Sequence, residues 1–144
     1  MGFELRDHTA DVAVAATGET LAAVFGAVAD GLAAAMCEDV PETSDDRFSL
    51  SVTAESREAL LFDYLDELIY LRDVRGELPV DNRVESIADP TTADGGSEPW
   101  SLDATARGVP LSAIDAREVK AVTYSEMRLA ESDDGWEAYV VFDV

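Results

Sequence analysis

The sequence predicts an α+β fold, a single compact domain with two main helices packed on a mainly antiparallel β-sheet. Three observations lead there. Two stretches, 20–37 and 57–73, carry apolar residues at helical spacing. Several others alternate apolar and polar residues, or are dense in β-branched and aromatic residues, as strands are. The last two of these flank Ser132-Asp133-Asp134-Gly135, a hairpin signal. Residues 1–144 amount to one domain's length, with no internal repeat or linker. Such a chain buries roughly two-thirds of its unfolded surface and needs no covalent staple.

Taken in order, Phe3 and Leu5 alternate with polar neighbours and predict a short opening strand. Residues 12–17, "VAVAAT", follow the string Asp7-His8-Thr9-Ala10-Asp11 as a second strand. Thr20 is placed to cap a helix whose stripe is Leu21, Val24, Phe25, Val28, Leu32 and Met36, with Gly31 a local weak point. Residues 38–46 read as a loop. In 47–55, Phe48, Leu50, Val52 and Ala54 alternate with Ser49, Ser51 and Thr53, a half-buried strand. Ser56 caps a second helix with Leu60, Leu61, Tyr64, Leu65, Leu68 and Leu71 as its buried stripe. Residues 83–89 and 100–108 read as strands around a polar Pro/Gly-bounded loop at 90–99. Residues 118–131 and 136–144 are the closing strands, the Tyr and Met of "TYSEM" reading as strand packing.

Charge narrows the possible partners. Thirty-one acids face ten bases, a net charge of −21, and Lys120 is the single lysine. Direct binding to a phosphate backbone needs clustered Lys and Arg, so it is not expected. Charge of this size repels itself in dilute salt and is screened in concentrated salt, which points to a halophilic intracellular protein. One cysteine, Cys37, allows no internal disulfide, and with His8 makes too few ligands for structural zinc. A reducing cytoplasmic setting follows. No membrane span or signal peptide is expected.

Chemistry has few places to reside. His8 lacks a visible nucleophile or orienting partner, so a structural imidazole at a bend is the plainer reading than a catalytic base. Asp11 stands where a turn becomes an apolar strand, either a turn aspartate or an anchored ligand. By the period of two, Trp136, Ala138, Val140, Phe142 and Val144 share one face of the last strand, and Asp143 lies on the other. Asp143 beside the carboxylate of Val144 is either a solvated tail or a pair of oxygens suited to Ca²⁺ or Mg²⁺. Asp63, Asp66 and Glu67 occupy one side of the second helix, a metal geometry or a solvated acidic face. Lys120 and Arg117 are surface residues or contacts to a phosphate or an acidic partner. Phosphate-loop, Rossmann and nucleophile-elbow patterns are missing.

Taken in order, "DHTADVAV", "GETLAAVFGAVADGLAAAM", "ALLFDYLDELIYL", "EVKAVTYSEM" and the final "VFDV" resemble the archease family. The likeness runs from about Phe3 to the last residue. It implies a small α+β protein that is not itself an enzyme but a cofactor protein of an RtcB-type RNA ligase in tRNA splicing. In that role it promotes guanylylation of the ligase by GTP and lets the ligase turn over repeatedly. The ligase is the direct partner, and tRNA is met only through it. The resemblance further implies a bound divalent cation, Ca²⁺ first with Mg²⁺ or Mn²⁺ as alternatives. Its ligands would be Asp11, Asp143 and Val144, with Asp7 and His8 supporting them and Lys120 available to the partner.

The sequence departs from the family pattern before Glu118. "RGVPLSAIDAREVKA" lacks the usual Gly-Glu and the histidine that follows. No site is assigned there. Two other functions compete: a general chaperone-like modulator of RNA-processing enzymes such as a tRNA methyltransferase, and a metal-dependent hydrolase using Asp11, Asp143 and the helix acids. The first would depend on charge, the second on a nucleophile the sequence does not display.

Overall fold

Elements begin and end where the hydrophobic period changes. In the computed structural model, β1 (Gly2–His8) and β2 (Asp11–Gly18) precede α1 (Leu21–Met36). Then come β3 (Arg47–Ala54), α2 (Arg57–Arg75), β4 (Glu77–Ala88) and β5 (Trp100–Pro110). A 3-10 turn at Leu111–Ala113 leads to β6 (Ala121–Ser132) and β7 (Gly135–Asp143). The structure describes residues 2–8, 11–37, 47–88 and 99–144, and only the backbone of 2, 4–8 and 11. The loops expected at 38–46 and 90–98 lie outside the described residues.

Both helices start on the expected caps. Thr20 Oγ1 accepts from the Ala23 amide at 3.0 Å, and Ser56 Oγ from the Ala59 amide at 3.1 Å. Each bond satisfies an amide that the first helical turn leaves without a carbonyl. Gly31 has a packing reason: a Cβ there would sit 2.5 Å from Val14 Cγ1, so glycine lets α1 press onto β2.

The sheet is divided. Strands β1-β2-β7-β6 form one antiparallel sheet and β3-β5-β4 a second. Each helix touches strands of both. One core results, with Val14, Val140 and Phe142 from the first sheet, Leu78, Leu102 and Val109 from the second, and Phe25, Leu32, Leu60 and Tyr64 from the helices. The pairing β6–Asp133–Asp134–β7 is the expected hairpin, with Ser132 opposite Gly135.

Several expectations needed correction. In α2, Leu71 is only half-buried, while Ile69 and Arg72 are buried, because the helix packs against two sheets at once. β4 begins at Glu77, six residues before the expected start, and bends through irregular register between Val80 and Arg83. β6 begins at Ala121, three residues after the expected start. On β7, Ala138, Val140 and Phe142 are buried as expected, but Val141 on the opposite face is buried too, and Val144 is exposed. Among the described residues, no helix is long and apolar enough to cross a membrane.

Candidate functional site

The site is built by strand register. β2 and β7 pair antiparallel from Gly18↔Trp136 to Asp11↔Asp143. β1 continues the same row with His8↔Asp11, and β6 completes it with Ala121↔Asp143. One rung across the first sheet therefore reads His8, Asp11, Asp143, Ala121. Asp7 lies one rung inward, opposite Val12. Opposed residues in such ladders have Cα atoms ~4.5–5.5 Å apart. Two aspartates from opposite ends of the chain thus become direct neighbours.

Like charges directly opposed across strands destabilise a sheet. Asp143 is exposed, as is Val144 after it. Lys120, also exposed, donates its amide to the Asp143 carbonyl at 2.8 Å. The lysine is thereby fixed beside the rung through its main chain. Hard divalent cations take oxygen donors of the kind this rung offers: carboxylates, main-chain carbonyls and water. Among the described residues there is no group of three or more His, Cys, Asp or Glu that could hold a metal ion. The side chains of Asp7, His8 and Asp11 are outside that set, and register alone places those residues.

The segment before Lys120 is pinned by two arginines whose structural use the sequence did not reveal. Arg72, at the end of α2, donates from Nη1 to the Val119 carbonyl at 2.9 Å and to Met36 Sδ at 3.1 Å. Arg117 donates Nε to the Ala35 carbonyl at 3.1 Å, and its amide to the Met36 carbonyl at 2.6 Å. The two Arg117 bonds satisfy carbonyls at the C-terminal end of α1, where a cation is favoured. Arg117 thus holds a helix end through Nε while the residue itself stays exposed. The signal for Arg72 was its position four residues after Leu68, within the apolar stripe.

Arg72→Ala is expected to lower stability by about 2–3 kcal/mol, because it leaves the buried Val119 carbonyl without a donor. Urea unfolding measures this, and an unchanged midpoint would show that the segment is held by other means.

A cleft of about 310 Å³ opens beside this segment, with Arg72, Arg117, Asp73, Asp115 and Glu118 among its lining. Both arginines already donate to protein acceptors and three carboxylates face the space, so it does not form an anion site. Among the described residues the helix acids form no metal-holding group with Asp143. Asp66 is exposed, and Asp63 and Glu67 are half-buried on α2. Burial, then the charge of Asp66, raises the Asp63 carboxyl above its usual range.

Comparison with known proteins covers the whole fold and this rung. The model of the Archease protein family matches residues 3–144. A protein archease of Methanosarcina acetivorans is 33% identical over 145 residues, spanning 99% of this chain and 95% of that protein. A Methanobacterium thermoautotrophicum protein solved in solution superposes with a TM-score of 0.80 at 29% identity, covering 99% of each chain. A crystal structure of an archease and possible chaperone from Thermotoga maritima shares the fold, with a TM-score of 0.60 at 20% identity and 98% and 96% coverage.

Proposed function

Because the chain belongs to the archease family over residues 3–144, we propose that it is a non-enzymatic cofactor protein of an RtcB-type RNA ligase in tRNA splicing. It promotes guanylylation of the ligase by GTP and supports repeated turnover. The single observation that carries the reading to particular residues is the Asp11↔Asp143 register. Asp11, Asp143 and an oxygen of Val144 hold a divalent cation, Ca²⁺ first among the oxygen-seeking ions. When bound, the cation neutralises the opposed carboxylates and presents a positive charge to partner oxygens. Asp7 and His8 hold the approach to the rung in shape. Lys120 contacts an acidic or phosphate group of the partner from beside Asp143. The RNA itself is met through the ligase, consistent with the charge of −21.

The test uses limiting cognate ligase, GTP, divalent metal and excess RNA ends. With this protein present, product should exceed ligase many-fold. Product that stops at one equivalent with or without the protein would contradict the proposal.

The second reading is a general chaperone-like modulator, such as of a tRNA methyltransferase, and the acidic surface favours it. That activity would track salt instead of the cation. Equal affinity for several unrelated basic enzymes, lost together on raising salt, would favour it.

A further inference from the structure

The last part of β6 departs from the ladder. Thr123 pairs with Val141 and Arg128 with Tyr139, so residues 124–127 bulge opposite Val140 alone. Glu126 within this bulge has φ 59. The bulge carries Tyr124 outward onto α2, where its ring stacks on Phe62 at 4.1 Å between centroids and 6° between planes. Tyr124 is nevertheless 55% exposed, contrary to the strand packing expected for it. Helical spacing puts Phe62, Asp66, Tyr70 and Asp73 in one row along α2, at steps of ~5–6 Å. Tyr70 is 58% exposed, and Val74 beside the row is 61% exposed. Large exposed side chains are ordinary when scattered, but here they share one surface with acids between them.

The electrostatics of this surface are unbalanced. Burial and then Asp66 raise the Asp63 carboxyl, and burial and then Asp63 raise the Tyr124 hydroxyl. Asp63 thus lies close to both. Among the described residues, no ion pair reaches Asp63 or Asp66. A second copy of so acidic a chain is repelled, as is nucleic acid. A cationic protein surface is attracted. Guanidinium fits better than ammonium, because its plane stacks on an aromatic ring while its edge binds carboxylates in pairs.

We propose that this aromatic and acidic row is a docking surface for an arginine-bearing segment of a partner protein, with guanidinium on Tyr124 and its charge met by Asp63 and Asp66. Ala121 and Tyr124 are three residues apart on β6, ~10 Å along the strand. A partner engaging the rung thus has this surface within reach. The inference stands apart from the ion reading, since none of its residues is a proposed ligand.

Octa-arginine and octa-lysine peptides carry equal charge, so their affinities at fixed ionic strength separate stacking from bulk attraction. The wild type should bind octa-arginine more tightly. Tyr124→Ala should weaken octa-arginine about two- to five-fold and octa-lysine less. Tyr124→Leu, which keeps apolar cover over Phe62, should give the same loss. Equal affinity of the two peptides for the wild type, failure of both to bind, or an arginine preference that survives both Tyr124 variants would overturn the proposal.

Discussion

Asp143→Ala is expected to abolish stimulation of multiple-turnover ligation while leaving the protein folded. The side chain is exposed, and the bonds that hold residue 143 in the sheet are made by its main chain, including the one accepted from the Lys120 amide. Loss of a ligand should cost at least about tenfold in cation affinity. The stability change has a sign that ordinary damage does not produce. Without divalent metal, the variant loses the repulsion from Asp11 and should be as stable as wild type or more so, by about 0.2–1 kcal/mol. With Ca²⁺ at a hundred times the wild-type dissociation constant, wild type should gain about 2.7 kcal/mol and the variant about 1.4 kcal/mol or less. Thermal melts with and without Ca²⁺ check both halves. Wild-type stimulation of the ligase by the variant would detach Asp143 from the function.

Gly135→Ala is expected to damage the fold strongly, at about 3 kcal/mol by urea unfolding. Gly135 has φ 136, where a side chain is strained. A Cβ there would also collide with the Gly18 carbonyl oxygen and lie 2.9 Å from Glu19 Cα. These are backbone atoms, so no rotamer change relieves the clash. The damage should reach the far end of the same strand pair. β2 and β7 run together from Gly18↔Trp136 to Asp11↔Asp143, and shifting the first pair loosens the last. Weaker Ca²⁺ binding by the folded fraction would follow. Wild-type stability would mean that the turn relaxes more easily than its geometry indicates.

What could be read from the chain was local. The Thr20 and Ser56 caps, the stripe of α1, the alternation of β3 and the hairpin before Gly135 each depend on residues a few positions apart. What could not be read was non-local. Nothing near Arg72 says that it will meet Val119, and nothing in "TYSEM" says that the strand will bulge toward Phe62. The division into two sheets depends on which strands β5 and β7 choose as neighbours. The rung is the intermediate case. Asp11 and Asp143 were each ambiguous as single residues, and the resemblance to archease joined them. The register then placed them opposite one another from either end of the chain.

The proposed site is a divalent cation held by this rung through both aspartates. Calorimetric titration of Ca²⁺ tests it most directly, in ~1 M monovalent salt to screen the general acidic surface. The wild type should show one saturable site per chain, and Asp11→Asn and Asp143→Asn alike should lose at least about tenfold in affinity. Unchanged affinity in either variant would contradict it.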